Sequence, residues 1–374
     1  MAESAYSTSA ICAQRLANQH LATQKARTAS EVVRLLGAIQ AQDYAGAKWG
    51  IAQRTVGASD AEVEQEISDG RILRTHVLRP TWHFVSPADI RWMLALTAPR
   101  IRKAAAHYDR RLGIDDDVRK RSRNVLQKAL QNCSQLTRSE LARELTKGGV
   151  RADGTQRLAH LMIHAELDGL VCSGARRGKQ FTYALLDECV PPTKDLKRDE
   201  ALHTLASRYI STRSPATEDD FSWWSGLTKA EARIALASVD NLETRMIDGR
   251  KYWVGPMPAS RAKLSARLLP NYDEYIVSYA DRGATHARVN PRAVGETFDF
   301  LGSYVIIING QIVGRWKRSL TKEAVVLMLH ALTPLNAAEW DVIWQQADRF
   351  ARFLEMPLQI ETNRTKARTK RVVV

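Results

Sequence analysis

The feature that most restricts the fold is an order of elements that recurs along the chain: three helices followed by two short strands. It is clearest after residue 113. Asp115–Asp117 supply a cap and negative charge for a helix running to about Asn132, which suits the partial positive charge of a helix start. Thr137 opens a helix over 138–147, Glu140 completes a capping box, and Gly148-Gly149 closes it. Leu158, Leu161, Met162 and Leu167 recur at helical spacing over 155–169. Strands are expected at 170–172 and 180–185, around the basic tip Gly174-Ala-Arg-Arg-Gly-Lys179. After Pro191-Pro192 the order repeats, with helices at 196–212, 217–225 and 228–238 and a hairpin of 242–247 and 250–254 closed by Asp248-Gly249.

The first stretch has the same order. Helices are expected at 9–25, at 30–40 (capped by Ser30, with Val32, Val33, Leu35, Leu36 and Ile39 on one face) and at 58–70, capped by Ser59 or Asp60 and closed by Gly70. A strand at 72–85 and a long helix at 87–112 follow. Three helices and a hairpin make a winged helix, whose third helix ordinarily enters a DNA major groove. The predicted class is therefore α+β: tandem winged-helix units at 1–113, 114–192 and 193–266, then a β-rich region at 267–374. In that region 303–308 and 311–316 flank Asn309-Gly310, a hairpin signal, and helices are expected at 321–332 and 336–354. The tail from Arg364 to Arg371 carries five basic residues and no acidic one; a loose phosphate-binding arm and an inert solvated tail both fit it.

At 374 residues the chain exceeds what one core usually organises. Its 55 Lys and Arg against 41 Asp and Glu leave a formal charge of +14, which points to nucleic acid or an anionic surface, or to a solvated basic exterior. No apolar run reaches the roughly 18 residues that would cross a bilayer, and the start MAESAYSTSA lacks the character of a signal peptide. Cys12, Cys133, Cys172 and Cys189 form no C-x-x-C pair and read as buried thiols of a reducing cytosol. The expectation is a cytoplasmic monomer on double-stranded DNA, without membrane, metal or cofactor.

Phosphate-loop, dinucleotide, nucleophile-elbow and H-E-x-x-H signatures are absent. His160 and His164, with Glu166 nearby, have metal-sharing spacing on a helix, but such histidines more often pack or bind backbone. Two segments remain. Gln40 and Gln42 stand one residue apart where a helix gives way to a loop, so both carboxamides can face one small volume and orient a water. From the spacing alone, capping of the helix end or exposure to solvent is the favoured reading. In the run from Arg74 to Val85, which includes His76, strand alternation puts Arg79, Thr81 and His83 on one face and Leu78, Pro80, Trp82 and Phe84 on the other, as at a site edge or a plain edge strand.

Gln40-Ala41-Gln42, Leu78-Arg-Pro-Thr-Trp-His83 and Leu268-Leu-Pro-Asn-Tyr-Asp-Glu-Tyr275, in this order among winged-helix units, resemble the AlkZ/YcaQ-type bacterial DNA glycosylases over most of the chain. The resemblance implies hydrolysis of the N-glycosidic bond of N7-alkylated purines. Gln42, where the YcaQ-like members carry Asp, implies the AlkZ-like branch, which unhooks interstrand crosslinks and protects makers of crosslinking natural products. Gln40 and Gln42 would then be catalytic, and Ala41 is smaller than the usual middle residue. Asp43, His76, Arg79, Thr81 and His83 would contact the lesion strand, with Asp43 as an assisting base or a cap. Arg119, Lys120, Arg121, Arg123, Arg176, Arg177, Lys179, Arg282 and Arg288 would neutralise phosphates. A tethered purine cannot flip freely, so an open channel is expected. Two rival readings are a non-catalytic winged-helix regulator and a metal nuclease using Asp43, Asp273 and Glu274.

Overall fold

The computed structural model describes residues 7–22, 25–192, 196–255, 263–289, 299–364 and 367–373, those from 363 on by backbone alone. The second unit follows the predicted order closely. Asp115 caps the helix Asp116–Leu130, its carboxylate accepting from the Val118 N–H at 2.8 Å. Thr137 and Glu140 form the capping box of Arg138–Lys147, and Thr155–Leu167 is the third helix. Val171–Ser173 and Thr182–Leu185 pair antiparallel, with Leu136–Thr137 added at the far side. Leu126, Leu141, Leu145, Leu161 and Met162 bury one another in a core of the unit's own. The third unit repeats this with Arg198–Arg213, Glu218–Ser225, Lys229–Ala237 and the hairpin Glu243–Ile247/Arg250–Val254.

The first stretch departs from expectation in ways that matter for function. Its second helix is Ala29–Leu36, capped by Thr28 rather than Ser30, and it ends four residues early. Gly37 at φ +78° turns the chain, and Ala38–Gln40 enters a sheet instead of continuing the helix, with Ile39 opposite Phe84 and Gln40 opposite His83. Leaving the helix exposes the Leu36 carbonyl to a donor from elsewhere in the chain, Arg213, at 3.0 Å. A helix absent from the sequence reading, Tyr44–Ala52, follows at once. The expected single strand at 72–85 is two antiparallel strands, Leu73–His76 and Trp82–Val85, joined by a loop with Leu78 at φ +63°. The proposed alternation through Arg79 and Thr81 therefore does not exist.

At the C-terminal end, 325–331 is a strand and not the expected helix. Val325, Leu327 and Leu329 are buried while Val326 and Met328 are not, a period of two. Thr321, where the expected helix would begin, instead takes the N–H groups of Glu323 and Ala324 in a turn. The sheet order is 367–373, 358–364, 325–331, 311–320, 305–308, 266–269, antiparallel throughout except for 325–331 against 358–364. That parallel pair needs a long crossover, which the helix Ala337–Leu354 provides. Of the basic tail, the described backbone at 364 and 367–371 lies in the outer two strands of this sheet, and 365–366 fall outside the described residues.

Two cores hold the first stretch between its neighbours. Val33, Leu36, Trp49 and Phe84 pack with Leu268, Ile306, Trp316, Leu327 and Phe350 of the C-terminal sheet and helix. Leu73, Val77, Leu78 and Met93 pack with Leu205, Tyr209, Phe221 and Trp224 of the third unit. The joint between loop 77–81 and the third unit is close at Gly226, at φ +71°, where an added Cβ would meet the Leu78 carbonyl oxygen at 2.2 Å. We expect Gly226→Ala to lower stability by roughly 2–4 kcal/mol, from left-handed strain plus overpacking. Urea denaturation measures it, and an unchanged midpoint would contradict this account of the joint.

Candidate active site

Gln40 and Gln42 leave the sheet on either side of Ala41. The Ala41 N–H donates to the Trp82 carbonyl at 2.7 Å, and its own carbonyl accepts from Arg74 Nε at 3.2 Å and Nη2 at 3.0 Å. Ala41 is fully buried, so its small side chain fits a tight floor and leaves the glutamines on a held backbone. Gln40 is buried and Gln42 exposed, which makes one the floor and the other the mouth of the same junction. Gln40 Nε2 lies 3.4 Å from Thr81 Oγ1, and its Oε1 is buried with no partner among the described residues.

The Gln40 N–H donates to Glu274 Oε1 at 2.9 Å. The other oxygen of Glu274 accepts from Arg213 Nη2 at 2.7 Å, Trp224 Nε1 at 2.9 Å and Ser278 Oγ at 2.8 Å. Burial alone would raise the Glu274 pKa, but Arg213 and the other donors hold it down at about 2. The neighbouring Asp273 is tied to Arg54 by two bonds, at 2.9 and 2.8 Å. Both carboxylates of the 268–275 segment are thus engaged by buried guanidinium groups, which removes them from a nuclease role. Asp43 caps Tyr44–Ala52 through the Gly46 N–H at 3.0 Å and also accepts from the Tyr304 hydroxyl, so it is structural.

His83 faces Gln40 across the strand pair and is wholly buried. Its Nδ1 is 2.9 Å from the Thr81 carbonyl, and its Nε2 has no partner among the described residues. Burial, reinforced by the Arg79 charge, lowers its pKa to about 3, so the ring is neutral. Wholly buried, His83 is not the exposed lesion-strand contact expected of it; it lies beside Gln40 in the floor. Loop 77–81 still brings Arg79 close, with Nε and Nη2 buried and unpartnered, its guanidinium 6.0 Å from the Trp223 ring centre. Trp223, which the sequence reading passed over, is partly exposed and flanked on another side by Arg282 at 5.3 Å.

Other expected site residues are placed elsewhere or already engaged. His76 is buried against Glu166, which takes both its N–H (3.0 Å) and its Nδ1, so it is not a lesion contact. His160 and His164 share Asp109, at 2.8 and 3.0 Å, which explains their spacing without a metal. Arg119 pairs with Asp116, Arg123 approaches Asp168, Arg177 bonds Glu140 and Arg288 bonds Glu339. Arg176 lies beside Glu64 and over the Tyr44 and Phe181 rings, so this wing residue packs on the first stretch close to Gln42. Arg282 holds the Ile276 and Ala280 carbonyls and keeps one donor unpartnered. Lys120, Arg121 and Lys179 are exposed, with no ion pair among the described residues. Cys12 and Cys172 are buried, but Cys133 and Cys189 are exposed, against expectation. Among the described residues no helix is long and apolar enough to cross a membrane.

The chain thus combines helix-helix-helix-hairpin units with a buried and an exposed glutamine on either side of Ala41. The family described as DNA glycosylase AlkZ-like matches residues 33–353, and the chain belongs to that family; it is a DNA glycosylase, a hydrolase of N-glycosyl bonds. An interstrand DNA cross-link repair glycosylase from Streptomyces sahachiroi is 25% identical over 331 residues, which is 82% of this chain and 86% of that protein. The solved structure of the Streptomyces sahachiroi DNA glycosylase AlkZ shares the fold, with a TM-score of 0.77 at 22% identity, covering 96% of this chain and all of that one.

Glu274 is the testable pivot of the geometry. Its folded pKa lies below the unfolded value near 4.3, so its contribution is complete above that value and is lost as pH falls toward 2. We expect Glu274→Gln to cost about 3 kcal/mol at pH 7, because Arg213 is left buried without its counter-charge. The deficit should shrink as wild type and variant are compared at pH 4 and then 3. A pH-independent deficit in urea denaturation would show that the loss is packing alone.

Proposed function

We propose that this glycosylase releases N7-alkylated purines from double-stranded DNA and unhooks interstrand crosslinks joined through such bases, using Gln40 and Gln42 to hold the attacking water. The observation that carries the reading is the Gln40 carboxamide, buried on a held backbone with an acceptor unpartnered among the described residues, two residues before an exposed twin. The chemistry suits neutral groups. Alkylation at N7 makes the purine a cation and therefore a good leaving group, so no strong acid is needed to expel it. What remains is to aim a water at C1′ and to tolerate an oxocarbenium-like transition state, which is work for positioning and preset dipoles. Gln42, at the mouth, stands nearer the incoming sugar; Gln40 sets the water from below.

Arg79 is suited to a phosphate beside the lesion, because its Nε and Nη2 have no acceptor among the described residues. Lys120, Arg121 and Lys179, exposed and without an ion pair among the described residues, suit phosphates farther along the duplex. Such contacts confer salt dependence and little sequence preference. A crosslinked purine stays tethered to the opposite strand, so the reading requires the base to be attacked without full extrusion.

The test is a duplex carrying N7-methylguanine, scored for free base and abasic sites, alongside a duplex crosslinked through guanine N7, scored for separated strands. Wild type should release base, in EDTA as well as without it. Gln42→Ala and Gln40→Ala should each lose at least about tenfold in single-turnover rate while duplex affinity barely changes. Equal loss of affinity would make the glutamines structural, and a wild-type protein that binds but releases nothing would leave a non-catalytic DNA-binding protein.

A further inference from the structure

Two buried acceptors on directly paired residues have no donor among the described residues. The His83 Nδ1 lies 2.9 Å from the Thr81 carbonyl, which can only accept, so the ring proton is on Nδ1. In the neutral ring the other nitrogen, Nε2, is then a bare acceptor, and it is buried and unpartnered. Opposite, Gln40 directs its Nε2 toward Thr81 Oγ1, which leaves Oε1 as a second buried acceptor without a partner. The two residues are direct cross-strand neighbours. Buried acceptors left open cost on the order of 1–3 kcal/mol each, and a molecule offering two donors removes both penalties at once. Water is that molecule.

We propose that His83 is a catalytic residue of this glycosylase: with Gln40 it binds the nucleophilic water by accepting its two O–H bonds, His83 Nε2 taking one and Gln40 Oε1 the other. The inference rests on the glycosylase reading above and adds a residue to it. Held by both hydrogens, the water turns its lone pairs away from the floor, toward the mouth where Gln42 stands. In the reaction a water lone pair forms the C1′–O bond as the C1′–N9 electron pair leaves with the purine, which cancels the charge at N7. The proton freed from the oxygen passes along the existing hydrogen bond to His83 Nε2 and leaves with the next water that refills the floor. A ring this deeply buried, near Arg79, is neutral before the reaction and gives its proton up readily afterwards.

The arrangement can be read without activity and with it. A high-resolution crystal structure of the wild-type protein should hold an ordered water at roughly 2.7–3.2 Å from both Gln40 Oε1 and His83 Nε2. A direct amide-to-imidazole bond in its place would overturn the proposal. In single-turnover assays on N7-methylguanine duplex, His83→Phe keeps the ring volume but not the acceptor, and should slow release at least about tenfold with duplex affinity unchanged. His83→Gln, which restores an acceptor, should regain part of the rate although it packs less well. If both variants were slowed equally, in step with a lost melting temperature, His83 would be a packing residue. The wild-type rate should be flat between about pH 5 and 8; a rate falling with the protonation of a group near 6.5 would mean the ring titrates in that range and would overturn the proposal. Failure of wild type to release base, with the water present, would instead sink the glycosylase reading.

Discussion

Glu274 joins three parts of the chain at one carboxylate. Its partners are the backbone of Gln40, the Arg213 guanidinium at the end of the third unit's first helix and the Trp224 indole of the second. Arg213 in turn holds the Leu36 carbonyl, the last one of the helix that precedes the glutamine strand. The end of that helix, the start of the strand and the third unit are therefore located by one ion pair that no water reaches. A buried pair of this kind is weak evidence for net stability, since desolvation offsets much of the attraction. Its value is geometric, because few other arrangements satisfy every donor.

Around that pivot the charge distribution has a direction. The floor of the site, Gln40 and His83, is neutral, while the nearby carboxylates are matched by guanidinium groups: Glu274 by Arg213 and Asp273 by Arg54. Free donors lie at the side, on Arg79 and Arg282, next to an exposed indole. This division fits a substrate that brings its own cation on the base and its own anions on the backbone. The protein meets the phosphates with charge and the reacting sugar with dipoles, so that no fixed positive group need stand beside a cationic purine.

Where sequence reading succeeded, the cause was local. Caps and turns are set by residues within a few positions: the capping box of Thr137 and Glu140, the Asp115 cap and the Asp248-Gly249 and Asn309-Gly310 turns all form as their types require. Where it failed, a distant partner decided. Residues 36–40 have helical spacing, but the sheet edge offered by Trp82–Val85 and the Arg213 donor favour a break at Gly37 and a strand. Likewise 325–331 are apolar enough for either state, and pairing with strands on both sides makes them a strand.

The sequence by itself determined the α+β class, the winged-helix order of the second and third units, the basic balance and the short list of chemically unusual residues, because each follows from periodicity, caps or charge. The resemblance carried by three short motifs then singled out Gln40 and Gln42 from that list. Only the tertiary structure decided that Gln40 ends a strand and Gln42 stands just beyond it, that Glu274 and Asp273 serve buried arginines, that His83 pairs with Gln40 across the strands and that most of the expected phosphate contacts are paired within the protein. Those outcomes depend on side chains up to 234 positions apart in the chain, and contacts at that separation leave no pattern in a single sequence: burial and the need to satisfy every buried donor and acceptor select them only once the chain has closed.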